Sequence, residues 1–222
     1  MNYIFIVLGV IVIILIYVIY IISSNKTTIT SYLDLSHGGT QSLPINYQPI
    51  SAQSTYNLLL FVNGMAQRPI FYRSNGTHTE MFGLTLHYNN GAYDLVWLIM
   101  NNGVQQRFTI QSNIGLQQWI YISICTSNTT IDFYINGKLT TSVDPTPMID
   151  TAQLTNQVYF GKLPAVIQSF TYYPYVMSAA DVYSSYTGLN SGANYLYQLF
   201  TTYRVNLSLS KNGTKQTSMT VL

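Results

Sequence analysis

Six Asn-Gly pairs punctuate this chain: Asn63-Gly64, Asn75-Gly76, Asn90-Gly91, Asn102-Gly103, Asn136-Gly137 and Asn212-Gly213. Asn-Gly at the centre of a two-residue loop suits a type I′ turn, because both residues accept positive φ and the turn twists as paired strands need. Between the pairs run short apolar or alternating stretches: Tyr56 to Val62, Phe82-Leu84-Leu86-Tyr88, Tyr93 to Met100, Phe108-Ile110 and Ile120-Ile122-Ile124. This spacing predicts an antiparallel meander. The clearest hairpin joins Ile131 to Ile135 with Lys138 to Val143 through Asn136-Gly137, and places Ile131, Phe133 and Ile135 on the core face. Val205 to Val221 reads as a closing hairpin, and Tyr195 to Tyr203 stays open between helix and strand. One interior segment is expected to be helical, Ser178 to Tyr186, where Ser178 can cap and Asp181 at the third position answers the free amides.

The N-terminus has a different texture. Ile4 to Ile22 carries no charge and no proline. A helix of that length is about 28 Å long, against a hydrocarbon thickness of ~30 Å. The Met1-Asn2-Tyr3 start and the Ser23-Ser24-Asn25-Lys26 flank do not make a cleavable signal peptide, so residues 1–22 are expected to be an uncleaved transmembrane anchor. Lys26, read by the positive-inside rule, keeps the large domain on the cytosolic side. Residues 23–55, Ser/Thr-rich with Gly38-Gly39, Pro44 and Pro49, read as a stalk and lead-in strand, and 56–222 as one β-sandwich domain.

Composition narrows the partners. Charged residues are 7% of the chain, hydrophobic ones 48%, and there are 20 Tyr. Such a chain can offset its ordering entropy, but its polar surface must come from Ser, Thr, Asn, Gln and Tyr. A net charge of +2 without any basic run excludes nucleic acid as a partner. The single Cys125 lies in an apolar strand pattern and reads as inert core. Sequons at Asn25, Asn75, Asn128, Asn206 and Asn212 follow from a composition rich in Asn, Ser and Thr.

The order of signals is recognisable: Trp119 with Ile120-Tyr121-Ile122-Ser123, the Phe133-Tyr134-Ile135-Asn136-Gly137 hairpin, Tyr159-Phe160-Gly161, and Ser178-Ala179-Ala180-Asp181-Val182 with Tyr186. This resembles the concanavalin A-like lectin/glucanase superfamily, in particular its laminin-G-like members, over about residues 55–187. The resemblance implies an all-β, two-sheet antiparallel jelly roll, here preceded by one transmembrane helix. The family usually has a glycine and an acidic residue in the strand before the short helix. This chain has Ala165-Val166-Ile167-Gln168-Ser169-Phe170 instead.

Chemistry is sought in vain. Glucanases of this kind need two carboxylates about 5–5.5 Å apart. Glu80 is the only glutamate, and Asp34, Asp94, Asp132, Asp144, Asp150 and Asp181 never fall within four residues of one another or of Glu80. Asp144 and Asp150 make the nearest calcium-type loop and read as a solvated turn. His37, His78 and His87 lack zinc spacing, and no nucleotide-binding or serine-hydrolase motif occurs. Tyr72, Tyr88, Tyr93, Trp97, Tyr172, Tyr173 and Tyr175 are candidate sugar-stacking platforms, although Trp97 and Trp119 are expected between the sheets. The expectation is a chain with no catalytic residue, metal or cofactor. It is read as a membrane-anchored structural or docking protein contacting neighbouring proteins of an assembly, in one version a viral minor capsid protein linking an internal membrane to the shell. The alternative is a cell-surface lectin binding glycans.

Overall fold

The computed structural model describes residues 10–17, 27–42, 53–64, 66–75, 80–101, 104–145, 154–190, 205–211 and 214–221. After a helix over residues 10–17, α1, come two antiparallel six-stranded sheets. In the first sheet the order is β1 (Thr27–Asp34), β12 (Ala165–Tyr173), β3 (Ser54–Val62), β8 (Trp119–Thr126), β9 (Ile131–Ile135) and β10 (Lys138–Val143). The second runs β2 (Gly39–Ser42), β11 (Leu154–Phe160), β4 (Pro69–Asn75), β5 (Glu80–Asn89), β6 (Ala92–Asn101) and β7 (Val104–Gln111). A helix, α2 (Ala179–Asn190), follows β12, and β13 (Val205–Lys211) pairs with β14 (Thr214–Val221) as the closing hairpin. This is the two-sheet antiparallel sandwich of a jelly roll.

Period-two alternation builds the core. Leu58, Leu60, Ile122, Ile124, Phe133 and Ile167 point inward from the first sheet, and Phe71, Leu84, Leu95, Trp97 and Val158 meet them from the second. Trp97 contacts Phe71, Phe82 and Phe133 at centroid distances of 6.1, 5.4 and 5.9 Å, so it bridges the sheets. Trp119 does not. It is the first residue of β8, one step out of phase with inward Ile120 and Ile122, and is 45% exposed on the outer face against Phe61, 5.2 Å away.

The Asn-Gly pairs divide into two kinds. Asn90-Gly91 and Asn136-Gly137 close hairpins with φ of 48° and 89°, and 50° and 76°, as a type I′ turn demands. Asn75-Gly76, Asn102-Gly103 and Asn212-Gly213 join paired strands, but their turns lie wholly or partly outside the described residues. Asn63-Gly64 is no hairpin, since β3 and β4 belong to different sheets. Two strands, β1 and β2, fall within the span read as a stalk with a lead-in strand. Their Thr- and Ser-rich sequences suit edge positions, where one side of the backbone is unpaired. Of the Ile4–Ile22 segment, α1 is described, and all eight of its side chains are exposed. Among the described residues no helix is long and apolar enough to cross a membrane, and the rest of that segment lies outside them.

Candidate functional site

The outer face of the first sheet is the unusual surface of the molecule. In β3 and β8 nearly every residue is buried, on both faces, because α2 lies across them. Ser178 opens that helix with reciprocal bonds: its hydroxyl donates to Asp181 Oδ2 at 2.7 Å, and the Asp181 amide donates to Ser178 Oγ at 3.2 Å. Thr55 seats the connection, donating to the Tyr175 carbonyl and accepting from the Met177 amide, both at 2.9 Å. Met177 and Val182 then cover Tyr121, Cys125 and Tyr134, a second small core. Burial pushes the Cys125 thiol well above its ordinary range, so the only cysteine is a poor nucleophile.

Beside this core a cleft of about 420 Å³ remains open. Register explains its chemistry. One cross-strand row on the outer face reads Ser123, Asn57, Thr171, Thr28, all small and polar, in β8, β3, β12 and β1. Asn57, Thr171 and Thr28 line the floor, Tyr121 and Tyr173 the walls, and Ser185, Gly188 and Leu189 of α2 the roof. Ser123 donates to Asn57 Oδ1 at 2.6 Å, while the Asn57 amide donates to the sulfur of Met177, at 3.3 Å. The Tyr121 hydroxyl is buried beside Ser185. Burial holds both tyrosine walls neutral by raising their pKa values above 10.0.

A bulge in β12 completes the cleft. Ile167 and Phe170 both point inward, so one extra residue, Ser169, is pushed out of the ladder at φ 54° and lines the cleft. The departure from the family pattern falls in this strand: a serine holds a backbone conformation that favours glycine. On the same face, two cross-strand rows from Ser123 and Asn57, the row Trp119, Phe61, Val166, Asp34 continues the surface, and Tyr32 stands exposed in the row between.

The residues singled out from sequence scatter. Tyr93, Trp97 and Tyr172 are core, Tyr72 stacks on Tyr159 at 5.2 Å on the outer face of the second sheet, Tyr88 and Tyr175 are exposed, and Tyr173 alone reaches the cleft. Each described acid that makes a side-chain bond serves its own neighbourhood. Asp94 accepts from Asn89 Nδ2 and the Asn113 amide, Asp132 from Ser142, and Asp34 from the Ser36 amide, which holds its carboxyl below the usual range. His37 bonds Ser36 and His87 bonds Arg107. Among the described residues no group of three His, Cys, Asp or Glu is placed to hold a metal. His78, Asp150 and the Glu80 side chain lie outside the described residues. Sequence reasoning passed over Asn57, Ser123 and Thr171; for Asn57 and Ser123 a signal was present, since each interrupts an apolar run at an outward position of its strand.

Two antiparallel six-stranded sheets, a short helix across one outer face and an uncharged cleft beneath that helix define a lectin-like jelly-roll domain. Residues 37–185 match the family model of the concanavalin A-like lectin/glucanases superfamily, of laminin G type, and the chain belongs to that superfamily. The match begins before residue 55 because β2 is part of the sandwich. No curated protein matches in sequence. Among solved structures, the receptor binding domain of botulinum neurotoxin C/D mosaic serotype superposes with a TM-score of 0.56 at 18% identity, over 73% of this chain and 43% of that one. The botulinum neurotoxin serotype D ligand binding domain, solved in complex with N-acetylneuraminic acid, gives 0.55 at 19%, over 73% and 43%. The serotype G binding domain gives 0.55 at 18%, over 72% and 42%. This chain thus spans less than half of each, and the likeness is one of fold. All three of those structures are binding domains.

Proposed function

We propose that the chain is a membrane-tethered, non-enzymatic lectin-type protein that takes neutral glycans in the cleft beneath α2. The observation that carries this reading is the uncharged polar floor of Asn57, Thr171 and Thr28 between two neutral tyrosine walls. A sugar ring needs hydroxyl and amide partners in a plane with aromatic surface beside them, and offers no charge to answer. The apolar Ile4–Ile22 segment supplies the tether by its length and hydropathy. A glycan ligand puts the domain on the lumenal or external side, opposite to the side indicated by Lys26 alone. There Asn128, exposed in the β8–β9 turn, would accept N-glycosylation.

The test is an array of neutral and sialylated oligosaccharides probed with the full chain in phosphatidylcholine vesicles. Neutral sugars should bind, and Ser185→Trp, which fills the roof, should weaken them by at least about tenfold. Retention of nothing, or undiminished binding by the filled variant, would sink the reading.

A second reading is supported by a separate observation. Trp119, Tyr32, Tyr88 and Leu139 are exposed on a surface with few charges, which suits docking to a neighbouring protein of an assembly. Its concrete form is a minor capsid protein holding an internal membrane to a shell, with the domain on the cytosolic side. An endoglycosidase mobility shift of the full-length protein separates the readings: a shift supports the lectin, and none supports docking.

A further inference from the structure

Arg73 is fully buried, at 0% exposure, between the two sheets. Its Nη1 donates to the Tyr56 hydroxyl at 2.9 Å and its Nη2 donates to the Thr155 carbonyl, both uncharged acceptors. Among the described residues its Nε has no acceptor. Facing it from the first sheet is the inward cross-strand row Thr27, Tyr172, Tyr56, Ile124, in which the rings of Tyr172 and Tyr56 are 5.2 Å apart. The hydroxyls of Thr27 and Tyr172 are also buried without a partner.

Three donors without an acceptor among the described residues, Nε and two hydroxyls of the row facing Arg73, thus accompany a charge that cannot be removed by deprotonation, since a guanidinium stays protonated in proteins. A buried cation that the described residues meet only with neutral dipoles is among the costliest arrangements in a core. Whatever satisfies it must bring lone pairs and negative charge, must be small, and must need no donor of its own. Water is small and brings lone pairs, but it brings no negative charge. We propose that Arg73, with the hydroxyls of Tyr172 and Thr27, forms an internal site for a monovalent anion of halide size. Chloride there neutralises the guanidinium and accepts from Nε and both hydroxyls. Because Thr27 is the first residue of β1, the anion also fixes the start of the edge strand that follows the proposed tether.

The test is thermal unfolding of the purified full chain at constant ionic strength and pH, with sodium chloride or bromide replacing sodium gluconate. Binding to the folded state alone raises the midpoint with ligand concentration, in a saturable way. Chloride and bromide should therefore raise the midpoint progressively and then level off, relative to gluconate. Arg73→Met, of similar volume, should abolish the halide response whatever its own midpoint. Should Arg73→Met not fold, the double variant Tyr172→Phe and Thr27→Val should weaken the response. An identical midpoint in chloride and gluconate overturns the site, as does a full halide response in Arg73→Met or, where that variant does not fold, in the double variant. Neither outcome bears on the glycan cleft, which lies on the opposite face of the same sheet.

Discussion

Trp97 in β6 and Trp119 in β8 have opposite fates, because strand phase alone decides which face a side chain takes. Trp97→Ala should cost about 3–5 kcal/mol, the usual range for emptying an aromatic core position, read by urea unfolding. Trp119→Ala should change stability by no more than about 0.5 kcal/mol, as surface substitutions do. Iodide should correspondingly quench only one of the two indoles. Phase was legible for Trp97, flanked by apolar residues throughout β6. It was misread for Trp119, because being first in a strand says nothing about which face leads. Ser169 makes a second residue-scale prediction: Ser169→Gly relieves the positive φ and should stabilise by about 0.5–1 kcal/mol if the bulge is as described. Tyrosine titration gives a third. Burial raises the pKa values of Tyr121 and Tyr172 above the 10.0 of the unfolded chain. Their contribution to stability is complete below that pH and is lost as the pH rises from there toward the folded values, because the unfolded state releases its protons first. Stability measured from pH 9 to 12 should fall progressively, and Tyr172→Phe should flatten the slope.

At the scale of elements, α2 and the turn beneath it act together. The helix start was readable from Ser178 and Asp181, since a reciprocal cap is a local signal that needs no tertiary context. Its seat was not readable, because the residues it covers, Tyr121, Cys125 and Tyr134, lie more than forty positions upstream. Two glycines separate local from tertiary effects. A Cβ on Gly91 meets nothing within 4 Å, whereas one on Gly137 lies 2.8 Å from the Tyr186 ring and 3.1 Å from that of Tyr183. Both have positive φ, so alanine costs about 1–2 kcal/mol at either from the left-handed backbone alone. Gly137→Ala should cost more than Gly91→Ala, and the excess should vanish when Tyr186 is also replaced by alanine. The same α2 seating shields the thiol: Ser178→Ala should loosen the helix start by about 1 kcal/mol and speed labelling of Cys125 by a disulfide reagent.

For the whole molecule, the division into strands was legible and the division into sheets was not. Alternation and turn residues mark where strands begin and end. Which strands pair is decided by contacts such as β3 with β12 and β2 with β11, over a hundred residues apart, for which a linear pattern carries no sign. Asn63-Gly64 illustrates the limit, a hairpin signal at a place where the chain changes sheet. The cleft inherits the same difficulty, since its floor is drawn from three strands, β3, β12 and β1, that only the register aligns. The proposed tether is tested by flotation: the full chain should rise with phosphatidylcholine vesicles, and a chain lacking residues 1–22 should stay below.

The central claim, that ligand sits under α2 on the outer face of the first sheet, is tested most directly by hydrogen exchange. The vesicle-held full chain would be compared with and without the neutral oligosaccharide that binds it best. Slowed exchange confined to residues 28–31, 169–173 and 185–189 is the predicted result. Slowing confined instead to the β4–β7 meander of the other sheet, or no slowing under saturating sugar, would contradict it.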